Sequence, residues 1–234
     1  MVETKKTSLK LHFIAIGGKV MHNLALAMSD KWHKVTGSDD EIYEPSLSRL
    51  DAAGILPAKM GWYTDNITED LDYVILGMHA KTDNPELLRA QELSLRIMSF
   101  PEFIYEQSKD KQRIVIAGSH GKTTTTSLLA AIFSKTKLDP TIINGGVLNA
   151  IKSTAKLGKS DWCILEADES DGSFIHVPPT YSIVTNIDRE HMDYYNSMND
   201  LKNLFIKFIN KVPSFGKSFI CIDDKNNQDL IKKV

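Results

Sequence analysis

The sequence predicts an α/β protein whose strands form parallel sheets covered by helices. Short apolar runs recur along the chain, and most of them end at a glycine or at an acidic residue. Segments with helical spacing of apolar residues separate these runs. Near-continuous apolar strands indicate burial on both faces, and their alternation with helices is typical of parallel sheets.

The chain opens with a strand, a glycine turn and a helix. The apolar run over 11–16 is closed by Gly17–Gly18, a helix is expected over 20–28, and a second strand over 35–39 ends in Asp39. This order is that of a Rossmann-like unit.

The glycine fingerprint of that unit is incomplete. Ala15 and Val20 stand where further glycines could be, so a full G-x-G-x-x-G is missing. The turn is therefore either a nucleotide-diphosphate site or a structural connection.

The rest of the first half continues the same alternation. The expected elements are a helix over 46–53, a strand over 73–76, a helix over 85–95 with Asn84 as its N-cap, a strand over 96–99 and a helix over 101–107. The polar segment 108–112 is predicted to link two domains, 1–108 and 109–234.

The second half is organised around a glycine-bounded turn. An apolar run over 114–116 leads into the turn 118–121, G-S-H-G, and Lys122 and Thr123 follow at once. A helix is expected over 124–133. This is the strand–loop–helix context of a phosphate-binding loop, in which backbone N–H groups and the helix N-terminus face the anion.

The loop has the tight spacing G-x-x-G-K-T. Ile116 occupies the first position of the usual G-x-x-x-x-G-K-[ST], where a glycine would stand. In a triphosphate site Lys122 would reach the β- and γ-phosphates and the Thr123 hydroxyl would bind Mg²⁺. The alternative is a glycine turn with a surface lysine.

Polar groups follow several strands that come after the loop. The expected elements are strands over 140–144, 162–165, 181–185 and 218–222, with a helix over 201–209. Ligands of open α/β sheets bind outside the carboxyl ends of strands. Glu166, the first residue past its strand, is either a Mg²⁺ ligand or a solvated acid. Most of the acids at 168, 169 and 171 are expected to be structural or solvated.

Three histidines are further candidates. His191 is either a hydrogen-bonded structural residue or a ligand, and nitrogen is an unusual donor to Mg²⁺. His120, inside the loop, is expected to position the backbone rather than to transfer protons. His79 follows a strand of the first domain, so it either touches a ligand there or is a surface turn residue.

Composition narrows the class of protein. A net charge of −2 without a basic block argues against nucleic-acid or membrane-surface binding. The first ten residues lack the apolar core of a signal peptide, and no apolar run is long enough to cross a bilayer. Cys163 and Cys221 both lie in apolar strand-like runs, which predicts buried free thiols in a reducing cytoplasm.

Four motifs together resemble the Mur ligases of peptidoglycan synthesis. They are G-S-H-G-K-T-T-T-T-S (118–127), I-N-G-G-V-L-N-A (143–150), E-A-D-E-S-D-G-S-F (166–174) and T-N-I-D-R-E-H-M-D (185–193). The resemblance covers essentially the whole chain. It implies a Rossmann-like domain for the UDP-linked substrate, followed by an ATP-binding central domain.

The resemblance is greatest to the branch that joins UDP-N-acetylmuramate to L-alanine. It implies an ATP- and Mg²⁺-dependent ligase that forms the amide through an acyl phosphate, in the cytoplasm, for cell-wall growth and division. The positions that match ATP ligands are Gly118, Ser119, His120, Gly121, Lys122, Thr123 and Thr124. The positions expected at the UDP substrate are Gly17, Gly18, Asp39 and His79. Thr123, Glu166 and His191 would bind the metal, with Lys122, Glu166 and His191 as the catalytic group.

The first half departs from the alanine-adding branch. Its A-I-G-G-K-V (15–20), with G-S-D-D-E-I-Y-E-P-S (37–46), is more similar to the murein-peptide recycling ligases, which add a tripeptide to the same substrate. The sequence therefore leaves the amine open. A divergent enzyme and a joined hybrid sequence would both show this pattern.

Two other classes remain as alternatives. A dinucleotide-dependent oxidoreductase has no use for Lys122 and is disfavoured by the broken glycine fingerprint, while a non-catalytic nucleotide-binding module is compatible with the loop. Mur ligases also have a third domain that closes over ATP. Because the chain stops at Val234, apparently before its central domain is complete, it is expected to bind nucleotide weakly and not to turn over by itself.

Overall fold

The structure is a computed structural model that describes residues 8–77, 80–148 and 153–234. The candidate His79 lies outside the described residues. The chain divides into two compact units, Met1–Phe103 and Ile104–Val234. The domain boundary expected between residues 108 and 109 stays a prediction. Residue 108 belongs to a helix and residue 112 to a strand, so only 109–111 lie between the two elements.

The first unit contains a four-stranded parallel sheet in the order β2-β1-β3-β4. Its elements are β1 Lys10–Ile14, α1 Lys19–Ser29, β2 Lys34–Ser38, α2 Ser46–Ala52, β3 Tyr73–Leu76, α3 Pro85–Glu92, β4 Ile97–Ser99 and the start of α4 Phe100–Ser108. Asn84 caps α3 as predicted, since its side chain accepts hydrogen bonds from the N–H groups of Glu86 and Leu87.

A buried carboxylate ties the elements of this unit together. Glu86 is fully buried and accepts hydrogen bonds from the Tyr63 N–H (2.8 Å), the Asn66 side chain (2.9 Å) and the Ser38 hydroxyl. The His12 Nε2 atom lies 3.2 Å from the same carboxylate. Burial alone would raise the pKa of Glu86, but these donors outweigh it and hold the pKa below its ordinary value.

The second unit contains a six-stranded sheet in the order β10-β9-β5-β8-β6-β7. Its elements are β5 Gln112–Ala117, α5 Lys122–Ser134, β6 Thr141–Leu148, β7 Ser153–Lys156, β8 Trp162–Glu166, β9 Tyr181–Val184, α6 Met198–Ile209, β10 Lys217–Ile220 and α7 Lys225–Ile231. The described pairs are parallel except for β7, which runs antiparallel to β6. The prediction of parallel sheets is therefore confirmed, with the addition of one antiparallel strand at this edge that the sequence did not predict. An edge strand is paired on one side only. Its sequence therefore need not contain the apolar run by which a buried strand is recognised.

The two cysteines differ in burial. Cys163 is fully buried in β8, and burial raises the pKa of its thiol to about 12. Cys221 is exposed, which overturns the prediction that both thiols are buried. It follows β10, which pairs only with β9 in the described chain, so no further strand covers that side. None of the described helices is long and apolar enough to cross a membrane.

Candidate active site

Three strand ends meet at one edge of the second sheet. β5 lies between β8 and β9, with Ile116 opposite Glu166 and Ala117 opposite Val184. All three strands run in the same direction, so the segments that follow them emerge together. These segments are the loop 118–121, the acidic stretch after Glu166 and the stretch that begins at Thr185.

The loop 118–121 requires glycine at both ends. Gly118 has φ +138° and Gly121 φ +81°, conformations that residues with a side chain rarely adopt. A Cβ atom at Gly118 would also lie 2.1 Å from the Thr185 hydroxyl oxygen. Around Gly121 there is open space, so there the requirement is conformational only.

The Lys122 side chain folds over the loop. Its Nζ atom donates to the Gly118 carbonyl at 2.7 Å and to Glu169 Oε2 at 2.7 Å. The Lys122 side chain is 14% exposed and the Glu169 side chain 1% exposed. The amine is therefore held above the loop by a hydrogen bond to the buried Glu169 carboxylate, and it does not point into bulk water.

Two side chains with oxygen atoms that could bind a metal ion, Thr123 and Glu166, contact each other beside this lysine. The Thr123 hydroxyl donates to Glu166 Oε1 at 3.0 Å. No cluster of three His, Cys, Asp or Glu residues that could hold a metal is found among the described residues. Mg²⁺ is usually bound through one or two carboxylates together with phosphate oxygens and water. The pair therefore fits a Mg²⁺ ion shared with a phosphate ligand, not an all-protein cage.

His191 lies near the carboxylate oxygen of Glu169 that does not contact Lys122. Its Nε2 atom is 3.8 Å from Glu169 Oε1 and 4.0 Å from Glu190 Oε2. The residue has φ +56°, an uncommon conformation for a non-glycine residue that tends to persist at functional sites. The structure thus connects Lys122, Glu169 and His191 through one buried carboxylate.

Glu169 is the residue that the sequence analysis missed. It had been grouped with acids expected to be mostly structural or solvated. Past the end of β8, Ala167 and Glu169 are buried and Asp168 between them is exposed. β8 itself is buried at three consecutive residues, so no alternation within the strand indicated which acid points inward.

His120 presents its backbone to the protein and its ring to solvent. Its N–H donates to Asn186 Oδ1 at 2.8 Å, and its ring Nε2 lies 3.4 Å from Asp188 Oδ2. The ring is about half exposed. Asn186 therefore holds the His120 backbone, and the expectation that His120 itself positions the backbone stays a prediction.

In the first unit, the predicted glycine turn at Gly17–Gly18 contacts Asp39. The Gly17 N–H donates to Asp39 Oδ2 at 2.7 Å, and the Asp40 N–H donates to Asp39 Oδ1 at 3.0 Å. Burial raises the pKa of Asp39, an effect that the hydrogen bond from Gly17 partly opposes. Gly18 precedes α1 as its N-cap residue, so the turn sits at a helix N-terminus.

Both halves of the chain match models of one known family. Residues 10–112 match the model described as "Mur ligase family, catalytic domain", and residues 116–234 match "Mur ligase middle domain". The chain belongs to the Mur ligase family.

Individual relatives narrow the resemblance within the Mur ligases. The UDP-N-acetylmuramate–L-alanine ligase of Pelagibacter ubique is 60% identical over 233 residues, which are 100% of this chain and 49% of that protein. The enzyme of the same name from Parvibaculum lavamentivorans is 42% identical over 96% of this chain and 45% of its own length. One relative thus matches both halves of this Mur ligase chain. The chain spans about half the length of the curated relatives it matches.

Solved structures share the fold of this Mur ligase chain. The UDP-N-acetylmuramate:L-alanyl-γ-D-glutamyl-meso-diaminopimelate ligase from Neisseria meningitides has a TM-score of 0.86 at 27% identity, covering 97% of this chain and 75% of that one. The UDP-N-acetylmuramate–alanine ligase from Thermotoga maritima has a TM-score of 0.78 at 27% identity, covering 95% and 51%.

Proposed function

We propose that this chain supplies the nucleotide-binding and UDP-substrate-binding parts of a ligase that joins UDP-N-acetylmuramate to L-alanine. The observation that carries the proposal is Lys122 Nζ held over a loop with glycines at both ends. The 60% identity to a UDP-N-acetylmuramate–L-alanine ligase, over both halves, supports the choice of substrates. The proposed use of ATP places its action in the cytoplasm.

The loop and the helix after it bind the triphosphate of ATP. The N–H groups of Ser119 and His120 donate to Asn186, so these residues shape the loop. The first helical hydrogen bond of α5 is the one from Thr125 N–H to the Gly121 carbonyl. The amides from Gly121 to Thr124 therefore stay available for phosphate oxygens, at the positive end of the helix.

Thr123, Glu166 and His191 would hold the magnesium ion. The hydroxyl and carboxylate oxygens of Thr123 and Glu166 supply donors of the kind that this hard cation prefers. Bound Mg²⁺ would neutralise charge on the phosphates. His191 lies next to the buried Glu169 carboxylate and would be the third ligand.

The chemistry needs orientation and charge rather than a protein nucleophile. The muramate carboxylate attacks the γ-phosphorus, an acyl phosphate and ADP form, and the amine of L-alanine then displaces phosphate. Lys122 stabilises the charge on the transferring group, and Glu169 keeps its amine in position. In the first unit, Gly17, Gly18 and Asp39, with His79, bind the UDP portion.

The peptide-adding reaction is a second candidate. The similarity to the ligase from Neisseria meningitides, at a TM-score of 0.86, favours it, as does the resemblance of the first half to recycling ligases. UDP-N-acetylmuramate is the carboxylate substrate in both reactions, so the ATP site proposed above is the same for either amine.

A charge-removal pair tests the ATP site. Lys122→Met removes the amine but leaves Glu169 buried and unpaired, which lowers stability by about 3–5 kcal/mol. The double variant Lys122→Met/Glu169→Gln removes both charges and should regain much of that stability. Isothermal titration with Mg-ATP should show binding by the wild type and at least roughly tenfold weaker binding by both variants, because the phosphate contact is lost in each.

Lys135→Ala is the matched control, because Lys135 is exposed at the other end of the same helix. It should bind Mg-ATP like the wild type. Wild-type affinity in the double variant would refute the role of Lys122.

A further inference from the structure

We propose that Asn186 is a positioning residue that clamps the phosphate-binding loop through the peptide group of His120. The effect of the clamp on ATP binding rests on the proposed function. The clamp itself does not. Asn186 follows β9, far from the loop in sequence, and none of the roles assigned above requires its side chain.

The Asn186 amide contacts both polar groups of His120. Its Oδ1 atom accepts the His120 N–H at 2.8 Å, and its Nδ2 atom donates to the His120 carbonyl at 3.0 Å. The Thr185 hydroxyl donates to the same carbonyl at 2.7 Å. The Asn186 backbone carbonyl in turn accepts the Ser119 N–H at 2.9 Å.

These contacts fix the orientation of the peptide that joins His120 to Gly121. Gly121 adopts a left-handed conformation with open space around it, so nothing at that residue itself prevents the peptide from rotating. A rotated peptide would direct the His120 carbonyl oxygen toward the bound phosphates. With two donors on that carbonyl, the rotated state loses two hydrogen bonds at once, and the amides from Gly121 onward keep their direction.

The segment that carries the clamp is itself anchored from α7. The Asn226 side chain donates to the Ile187 carbonyl at 2.6 Å. The fully buried Asn227 donates to the Thr185 carbonyl at 3.2 Å and to the Cys221 carbonyl at 3.0 Å. Asn186 is therefore flanked on both sides by held carbonyls, which makes it a fixed support for the loop.

Hydrogen exchange without nucleotide tests the clamp directly. In Asn186→Ala the His120 amide should exchange at least roughly tenfold faster, since it loses the side-chain oxygen that accepts it. The Ser119 amide, whose partner is the Asn186 backbone carbonyl, and the Val115 amide in the core of β5 should stay close to their wild-type rates. Equal acceleration at Val115 would mean general destabilisation, and unchanged exchange at His120 would mean no clamp. Either result overturns the proposal.

Two matched substitutions at Thr185 separate the hydroxyl from the packing. Thr185→Val keeps the shape and removes the donor to His120, so Mg-ATP affinity by calorimetry should fall roughly fivefold, the equivalent of one hydrogen bond. Thr185→Ser keeps the hydroxyl and should stay within about twofold of the wild type. Equal affinity in the two variants contradicts the proposal.

The same measurements distinguish this proposal from the proposed function. Failure of the wild type to bind Mg-ATP would refute the ATP site, while the exchange rate of the His120 amide would still decide whether the clamp exists. Wild-type binding with an unaltered affinity in Asn186→Ala would remove the positioning role and leave the ATP site in place.

Discussion

The buried Glu169 carboxylate shows how much one residue adds to the site. Its Oε2 atom accepts from Lys122, while its Oε1 atom has no hydrogen-bond partner in the described part of the chain and faces His191 at 3.8 Å. A buried carboxylate is costly without a partner, so it constrains the lysine strongly. Tyr195 donates to the Glu169 main-chain carbonyl, which fixes the residue's backbone. Burial raises the pKa of Tyr195, so the phenol stays protonated as this donor.

A second residue, His22 of α1, predicts a pH dependence of stability. It is 2% exposed, and its Nδ1 atom lies 3.0 Å from the Gly18 carbonyl and 2.9 Å from the Ser46 hydroxyl. Burial lowers its pKa below 6.5, partly opposed by the contact with Gly18. The folded state then binds the proton less readily than the unfolded state. The stability that His22 contributes is complete above pH 6.5 and is lost as the pH falls through that value.

We therefore expect the free energy of unfolding in urea to be smaller at pH 5.5 than at pH 7.5. His22→Asn keeps a polar group near the Nδ1 position and should lose much of this difference. His33, whose pKa burial also lowers, accounts for part of the remainder. His176→Asn, at an exposed histidine, should retain the wild-type difference. The same pH difference in His22→Asn and wild type would contradict the assignment.

At the scale of elements, the connection between β5 and α5 combines two kinds of constraint. Gly118 is confined both by its backbone angle and by the Thr185 hydroxyl, whereas Gly121 is confined by its angle alone. The difference arises because the stretch after β9 packs directly against the start of the loop and leaves its end open.

This difference predicts unequal costs for the two alanine substitutions. Gly121→Ala should lower the free energy of unfolding by about 1–2 kcal/mol, the cost of a left-handed residue with a side chain. Gly118→Ala should cost more, because its Cβ atom also displaces Thr185 and with it the donor to His120. Urea denaturation of both variants measures the two costs, and equal values would show that the contact at Gly118 is unimportant.

At the scale of the whole molecule, each unit has its own sheet, its own core and its own candidate site. The core of the first unit includes Phe13 and Leu50, and the core of the second unit includes Ile116 and Ile164. All four side chains are fully buried. The glycine turn with Asp39 belongs to the first unit, and the loop 118–121 belongs to the second. The proposed function assigns one nucleotide-containing substrate to each of these candidate sites.

We expect the two substrates to protect different segments from hydrogen exchange. Mg-ATP should slow exchange at 121–124, and UDP-N-acetylmuramate should slow it at 17–18, because each ligand uses the helix N-terminus of its own unit. Lys122→Met/Glu169→Gln should abolish the first effect and leave the second intact. Protection of 121–124 by UDP-N-acetylmuramate alone would contradict the assignment of the two sites.

Most of the strands and the glycine-bounded loop 118–121 could be predicted because their signals are local. The apolar run before Gly118, the helix-compatible stretch after Lys122 and the strand over 73–76 each lie within a short window, and the structure has them nearly as expected. β7 and α7 were missed, since S-T-A-K and K-N-N-Q-D-L-I contain few apolar residues and their pattern indicates neither a strand nor a helix. Leu230, with 1% exposure, is the main apolar anchor of α7.

The sequence by itself determined which residue types were present for a phosphate site and that they follow buried strands. Only the tertiary structure decided which of the acids meets Lys122 and what holds the loop. Glu169 lies 47 residues from Lys122, and Asn186 lies 66 residues from His120. Contacts across such separations depend on strand order, here β8-β5-β9, and strand order follows from how the strands pack together rather than from any local pattern.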